Sequence, residues 1–262
     1  MISVEIIGVR GSAPRDAGTV MVVDTLESHG TIGGGALEHR AIATARRMLA
    51  EGRSTYEETL PLGPGLGQCC GGAVTLRYAE GARAVDRPLD LPLDPALVAR
   101  ATGGALWLWG AGHVGRAVVR ALGPLRLFSI TWIDSSAERF PAEVPSGVAI
   151  TPAADMPRLA AHAPRDAHHL IFTYAHDIDL ALCAALLRRG FASCGLIGSA
   201  TKWARFQNRL RAMQLDPESI TCPIGDPARG KHPDTIAHST ATALLRWDAH
   251  LHDSAPKTRA AV

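Results

Sequence analysis

The residues of this chain that could carry chemistry are three glycine-rich stretches and one pair of adjacent cysteines. Gly110, Gly112 and Gly115 form a G-x-G-x-x-G pattern. In such a turn the first glycine permits a tight bend, the second lets the backbone approach a phosphate, and the third lets a helix pack on the preceding strand. An apolar run precedes the pattern and a helical pattern follows it, and helix N-termini attract anions. The spacing therefore predicts a phosphate-binding turn, with glycines that serve only close packing as the alternative.

Asp134 ends the next apolar run along the chain. In dinucleotide-binding proteins, the acidic residue at this place binds the ribose hydroxyls. Asp134 is therefore a candidate ribose ligand, and the alternative is an aspartate that only caps a loop.

The adjacent thiols of Cys69 and Cys70 lie in a loop of unusual glycine content. Thiolates bind soft metals and accept sulfur, and a glycine-rich backbone can approach a ligand closely. The chain shows no cysteine and histidine spacing of the kind that structural zinc requires. We expect a reactive or metal-binding pair here, with an inert loop pair as the alternative.

Two further glycine-rich loops lie near the start of the chain. Gly30–Gly35 precedes a helical pattern, so this loop is either a second anion site or a tight turn without a ligand. Gly11–Gly18 is a turn rich in glycine and proline that also contains Arg15. Strand patterns at Val4–Val9, Thr19–Asp24 and Ala73–Tyr78 flank these loops.

Beyond the G-x-G-x-x-G turn, strand and helix patterns alternate, which predicts parallel strands joined by crossover helices. Ligands of such sheets bind at the carboxyl ends of the strands. Two loops should therefore join the glycine turn there, one at 173–177 with His176 and one at 198–202 with Ser199 and Lys202. His176 is either a ligand or proton carrier or a loop-capping residue, and Lys202 contacts an anionic partner or is solvated.

Length and composition limit the class of protein. The chain has 262 residues, 47% of them hydrophobic, and a formal net charge of +2, so neither nucleic acid nor a membrane surface is an expected partner. No apolar run reaches the length that spans a bilayer, and the first residues do not resemble a signal peptide. Five cysteines without a secretion signal predict a cytoplasmic protein with reduced thiols.

The predicted fold class is α/β: a small N-terminal α+β domain and a Rossmann-like, doubly wound parallel sheet. The expected boundaries are residues 1–80 for the first domain, 81–103 for a linker with a short helix near Pro95–Arg100, 104–250 for the second domain, and 251–262 for a flexible tail.

Taken in order, these stretches resemble the xanthine dehydrogenase accessory protein family (XdhC/CoxI). The resemblance covers nearly the whole chain. It rests on Gly11-Ser12-Ala13-Pro14-Arg15, Gly30-Thr31-Ile32-Gly33-Gly34-Gly35 with Leu37-Glu38, Gln68-Cys69-Cys70-Gly71-Gly72, Gly110-Ala111-Gly112-His113-Val114-Gly115, Gly198-Ser199 with Lys202, and Pro223-Ile224-Gly225.

The resemblance implies a homodimeric chaperone rather than an enzyme. Such a protein binds molybdenum cofactor, protects it while a cysteine desulfurase partner supplies the terminal sulfur, and delivers it to apo-xanthine dehydrogenase. By the resemblance, Gly110, Gly112 and Gly115 would hold the phosphate or a nucleotide, and Gln68, Cys69 and Cys70 would belong to the family's cysteine loop. Our hypothesis for the mechanism is that Cys69 or Cys70 approaches the molybdenum or its sulfur, which makes both cysteines candidate metal ligands. The candidate cofactor-binding residues are Arg15, Gln68, Cys69, Cys70, Gly71, Gly110, Gly112, His113, Gly115, Asp134, His176, Ser199 and Lys202.

The chain departs from the family pattern in two places. The family's His-Asp-His-x-x-Asp segment is replaced by Tyr174-Ala175-His176-Asp177-Ile178-Asp179, and Ala243 stands where the family often has glutamate. Two other functions are compatible with the motifs: an NAD(P)-dependent oxidoreductase with Asp134 on the ribose, and a docking adaptor for the dehydrogenase whose glycine loops are structural.

Overall fold

Two β-sheets of different type organise the chain, which a computed structural model describes for residues 1–63 and 72–254. The first sheet is antiparallel, with five strands in the order β3-β2-β1-β5-β4. These strands are β1 (Ile2–Arg10), β2 (Val20–Val23), β3 (Ser28–Gly30), β4 (Thr55–Pro61) and β5 (Ala73–Glu80).

One long helix, α1 (Gly35–Glu51), covers a face of this sheet. Its apolar residues recur at helical spacing and pack on strand residues such as Ile6 and Leu76, which are fully buried. Gly52 ends the helix in the left-handed conformation, at φ 64°. The predicted small α+β unit is therefore present.

The second sheet has six strands, all parallel, in the order β11-β10-β9-β6-β7-β8. Counted within the sheet, this is the 3-2-1-4-5-6 arrangement of dinucleotide-binding folds, and the order reverses beside β6. The strands are β6 (Gly104–Trp109), β7 (Phe128–Asp134), β8 (Val148–Pro152), β9 (His168–Ile171), β10 (Ser193–Leu196) and β11 (Ile220–Thr221).

Helices cover both faces of this parallel sheet, each over its own apolar core. The predicted Rossmann-like, doubly wound fold is therefore confirmed. The helices are α2 (Pro95–Arg100), α3 (His113–Leu122), α4 (Met156–Ala160), α5 (His176–Arg189), α6 (Ala200–Ala212) and α7 (Pro233–Ser254). No helix in the described ranges is long and apolar enough to cross a membrane.

Helix α7 ends at Ser254, so it extends into the first residues of the segment 251–262 that the sequence predicts as a tail. The buried carboxylate of Asp248 accepts hydrogen bonds from the backbone N–H groups of Thr102 (2.7 Å) and Gly103 (3.3 Å). Arg100 forms an ion pair with Asp253 at 2.7 Å. These contacts attach the last turns of α7 to the segment before β6.

Candidate functional site

The glycine turn after β6 has the geometry that its spacing predicts. Gly110 lies at φ 116°, and a Cβ there would come within 2.4 Å of the carbonyl oxygen of Phe172. A Cβ at Gly115 would lie 2.1 Å from the carbonyl oxygen of Gly110, so both positions require glycine. A Cβ at Gly112 would meet no atom within 4 Å. The turn is therefore tightly packed on its inner side and open at Gly112.

Asp134 braces this turn from the neighbouring strand β7. Its carboxylate is 1% exposed, and Oδ2 accepts a hydrogen bond from the N–H of Ala111 at 2.6 Å. Oδ1 accepts from the N–H of Ser135 at 2.6 Å and lies 2.6 Å from Nε of Arg139. Both oxygens of the candidate ribose ligand are thus engaged within the chain.

Arg116 and Arg139 bring positive charge to the same turn. Arg116 donates hydrogen bonds from Nε to the carbonyl oxygen of Ala111 (2.9 Å) and from Nη2 to that of Arg139 (2.8 Å). No carboxylate among the described residues forms an ion pair with Arg116. Burial and the nearby guanidinium groups of Arg139 and Arg120 lower the pKa of Arg116. These arginines were not predicted as site residues.

Tyr174 closes one side of the arginine cluster. The guanidinium of Arg139 lies 4.2 Å from the centroid of the Tyr174 ring, which is 44% exposed. Because β9 and β7 lie on either side of β6, this contact joins the loops that follow them across the glycine turn. The guanidinium and the ring are close enough for a cation–π contact.

The glycine-rich loop before α1 already holds an anion, which is the chain's own Glu38. Oε2 of Glu38 accepts hydrogen bonds from Thr31 Oγ1 (2.5 Å), Ile32 N–H (3.0 Å) and Gly34 N–H (3.1 Å). The loop therefore has the geometry of an anion site, which was one of the two interpretations of its sequence. The anion that it binds is a side chain of the same protein.

His113, the first residue of α3, connects the two glycine-rich loops. Its Nε2 lies 2.9 Å from Oε1 of Glu38. Burial would raise the pKa of Glu38, but the hydrogen bonds and charge of His113, with the bonds from Thr31 and Gly34, lower it below its ordinary value. The pair is a direct polar contact between the first sheet's helix and the second sheet's glycine turn.

The base of the cysteine loop lies beside the loop at residues 10–18. A Cβ at Gly72 would lie 2.3 Å from the carbonyl oxygen of Ser12, and a Cβ at Gly33 would lie 2.4 Å from Cγ of Pro14. The N–H of Leu62 donates to the carbonyl oxygen of Gly72 at 2.7 Å, which closes the base of the loop. Three glycine-rich loops of the first sheet are therefore in contact. The candidate residues Gln68, Cys69, Cys70 and Gly71 themselves lie outside the described residues.

Arg15 is buried, and its partners belong to distant segments. Its guanidinium forms an ion pair with Asp86 and donates from Nη1 to the carbonyl oxygen of Lys231 at 3.2 Å. The ammonium group of Lys231 in turn lies 2.7 Å from Asp16. Arg15 thus ties the loop at 10–18 to the segment before α2 and to the segment before α7.

Lys202 is buried and forms an ion pair with a carboxylate of the same chain. Its Nζ lies 2.5 Å from Oδ2 of Asp179 and donates to the carbonyl oxygen of Ile197 at 2.9 Å. Oδ1 of Asp179 accepts a hydrogen bond from Thr173 Oγ1 at 2.6 Å. The interpretation of Lys202 as a solvated lysine was wrong, because only 4% of its side chain is exposed. The pair joins the loops after β9 and β10.

Ser199 and His176 complete this edge of the sheet. Ser199 caps α6, and its Oγ accepts the N–H of Lys202 at 3.2 Å. His176 begins α5 and is half-buried, and its pKa is lowered by burial and by the charge of Lys202. Both lie at the carboxyl ends of the strands, as expected, but their described contacts assign them no ligand.

No group of three or more His, Cys, Asp or Glu residues in the ranges 1–63 and 72–254 is arranged to hold a metal ion. Cys183 and Cys194 are buried, and burial raises the pKa of each thiol. They belong to the core, as their apolar surroundings in the sequence indicate.

Comparison with known families identifies both parts of the chain. The model of the "XdhC Rossmann domain" matches residues 106–244, and that of the "XdhC and CoxI family" matches residues 2–60. Among curated proteins, YqeB of Escherichia coli K12 is 25% identical over 250 residues. The alignment covers 92% of this chain but 42% of YqeB, so the chain spans less than half of that relative.

Solved structures whose backbone is similar to that of this chain include one described as a xanthine dehydrogenase from Bacillus halodurans. It is 16% identical with a TM-score of 0.48, and the match covers 98% of this chain and 93% of that one. A Rossmann-fold NAD(P)-binding family protein from Shigella flexneri is 14% identical with a TM-score of 0.38, over 55% of this chain and 87% of that one.

Proposed function

We propose that this chain, which belongs to the XdhC and CoxI family, holds molybdenum cofactor while the cofactor is sulfurated and then inserts it into apo-xanthine dehydrogenase. Membership of the family supports a general role as an accessory protein in dehydrogenase maturation. The cofactor, the cysteine desulfurase that supplies sulfur, the homodimeric state and the cytoplasmic location are parts of the proposal.

The observation that carries the proposal is the series of contacts between the cysteine loop's base and the glycine turn. Gly72 lies against Ser12, Pro14 against Gly33, and Glu38 against His113. Molybdenum cofactor is a pterin with a phosphate at one end and a dithiolene-bound metal at the other. A thiol loop and a phosphate-binding turn on connected elements suit a ligand with these two ends.

The residues at the turn fit the phosphate end of this cofactor. Gly112 leaves the backbone accessible, and Arg116 brings a half-buried guanidinium without a carboxylate partner among the described residues. Cys69 or Cys70 would supply a soft ligand to the molybdenum or its sulfur. The protein's part is to bind, orient and shield the cofactor, whose metal supplies the redox chemistry in the client enzyme.

Cofactor retention tests this function. The purified protein would be titrated anaerobically with molybdenum cofactor, and molybdenum and pterin would be measured after gel filtration. We expect near-stoichiometric retention, which the Cys69→Ala/Cys70→Ala variant loses and a Cys194→Ala control keeps. Normal retention and transfer by the double variant would remove the cysteines from the proposal.

An NAD(P)-dependent oxidoreductase is the alternative, and titration with NAD and NADP in parallel separates it from the chaperone. The engagement of both Asp134 oxygens counts against this alternative, because a ribose would have to displace Ala111 or Arg139. Tight nicotinamide binding without cofactor retention would favour the oxidoreductase. Binding of neither ligand would favour a docking adaptor.

A further inference from the structure

Positive charge is concentrated on one side of the second sheet. Residues 180–215 contain six basic residues and no aspartate or glutamate. The whole chain has a formal net charge of only +2, so the rest of the chain is net acidic. This segment supplies most of α5 and all of α6, which cover the same face of the sheet. A surface of one charge sign attracts partners of the opposite sign.

The outer face of α6 presents part of this charge to solvent. Arg205, Asn208, Arg209 and Ala212 recur at the spacing of a single helix face, and all four are exposed. Met213 follows Arg209 by one further turn and is 42% exposed. We call these five residues the α6 stripe. Arginine and methionine are enriched in protein–protein interfaces, where lysine is depleted.

The chain does not neutralise the α6 stripe. The other two cations of α6 are paired within the chain, Lys202 with buried Asp179 and Arg211 with Glu218 at 2.8 Å. No carboxylate among the described residues forms an ion pair with either arginine of the stripe. Like charges four residues apart on a helix repel each other. Carboxylates from outside the chain would therefore relieve this repulsion.

The α6 stripe begins near the edge of the sheet that carries the candidate site. Helix α6 starts directly after Ser199, beyond the carboxyl end of β10. The pKa of His176, which follows β9, is lowered mainly by burial and by the charge of Lys202, and the charge of Arg205 contributes. A protein bound to the stripe would therefore lie beside the carboxyl ends of these strands.

We propose that the α6 stripe is a docking face for a carboxylate-rich surface of a partner protein. The planar guanidinium of arginine binds a carboxylate through two parallel hydrogen bonds, so the two arginines select carboxylates by geometry as well as by charge. The inference rests on the proposed function in taking apo-xanthine dehydrogenase as the partner. It deepens that function by naming the face of the chain that the client contacts.

Binding of the purified chain to immobilised apo-xanthine dehydrogenase, followed by biolayer interferometry, tests the docking face. We expect Arg205→Gln/Arg209→Gln to weaken binding at least about tenfold, mainly through slower association, because charges at an interface steer the encounter. Added salt should weaken the binding of the wild type more than that of the variant. Arg47→Gln/Arg87→Gln removes the same charge from exposed positions outside the stripe, and this matched control should bind like the wild type.

Three results would overturn the docking face. An equal loss of binding in the control variant would show an effect of net charge alone. Binding that ignores both arginines of the stripe would place the client elsewhere. Absence of client binding by the wild type would leave the stripe without its proposed partner. All four substituted arginines are exposed, so we expect every variant to unfold at the wild-type temperature, which circular dichroism measures.

Two further measurements address other occupants of the α6 stripe. Sedimentation of the wild type and the variant detects self-association, and association lost in Arg205→Gln/Arg209→Gln with client binding unchanged would assign the stripe to a second copy of this chain. Titration with a short duplex DNA detects nucleic-acid binding. Duplex binding that is tighter than client binding and depends on the same arginines would assign the stripe to nucleic acid. Either result would overturn the proposal.

These outcomes are distinguishable from failure of the proposed function. The Arg205→Gln/Arg209→Gln variant should retain molybdenum cofactor like the wild type, because the stripe contains none of the candidate cofactor-binding residues. Cofactor retention together with client binding that ignores the two arginines would overturn the inference alone. Client binding that depends on them, in a protein that retains no cofactor, would support the inference and overturn the function.

Discussion

Glu38 and Asp134 play the same structural role in different loops. Each is a largely buried carboxylate that accepts hydrogen bonds from backbone N–H groups of a glycine-rich loop. Such bonds stabilise the charged form of a carboxylate and fix the loop around it. The loop before α1 therefore keeps its shape without a ligand.

The charge on Glu38 should be visible in acid stability. Its pKa is lowered in the folded protein, so its contribution is fully present above the unfolded value near 4.5 and is lost as the pH falls through the folded value. We expect Glu38→Gln to cost about 1–3 kcal/mol at pH 7 and to cost less below pH 4.5. Urea unfolding of both proteins across this range measures the difference, and a constant difference would contradict the prediction.

At the scale of elements, the Asp179–Lys202 pair joins the loops after β9 and β10. Removing one member of a buried pair leaves the other without compensation. We expect Lys202→Met to lower the free energy of unfolding by about 3–5 kcal/mol. The exposed pair Arg77–Glu57 is the control, because its partners are 50% and 52% exposed. Its removal should cost at most about 1 kcal/mol. A similar cost for both pairs in denaturant titrations would show that burial is not the cause.

His169 in β9 makes a second prediction at this scale. Burial, with the neighbouring charge of His168, lowers the pKa of His169 from 6.5 to about 3. Its Nδ1 accepts a hydrogen bond from Nε1 of Trp109 at 3.2 Å, so the ring is neutral. The contribution of neutral His169 to the free energy of unfolding is fully present above pH 6.5 and is lost as the pH falls toward 3.

The expected loss for His169 is about 2 kcal/mol between pH 6.5 and pH 5, because each pKa unit is worth about 1.4 kcal/mol. His169→Leu should flatten the pH dependence in this window, whatever its effect on absolute stability. Unfolding of the wild type and the variant by guanidinium chloride at pH 6.5 and pH 5 measures this change in the free energy of unfolding. An unchanged slope in the variant would assign the pH dependence to other histidines.

The elements with strong local patterns could be predicted from the sequence, and edge elements could not. The apolar run of β6 and the glycines that follow it predict a strand, a turn and a helix, and all three are present. The edge strands β4 and β8 bury few side chains, so their residues carry no clear alternation of buried apolar positions. The arginine cluster was also missed, because Arg116 and Arg139 meet only through the order of the strands.

At the scale of the whole molecule, buried Arg15 joins the loop at residues 10–18 to the segments before α2 and α7. Arg15→Met leaves the Lys231 carbonyl oxygen without this donor and Asp86 without its cation. We expect a cost of about 1–3 kcal/mol and faster hydrogen exchange in residues 81–94. Faster exchange confined to β1 and β5 instead would show that Arg15 stabilises only the first sheet. Arg47→Met, which removes an exposed arginine on α1, is the control.

The hydrogen bond from Leu62 to Gly72 has a consequence for how this protein can change. The bond holds the two ends of the intervening segment together at the hairpin of β4 and β5. Closing a longer loop between fixed ends costs little entropy, about 0.6 kcal/mol for each doubling of its length. Insertions between these two residues are therefore a route by which the length of the thiol-bearing segment can vary while the sheet that carries it keeps its strand register.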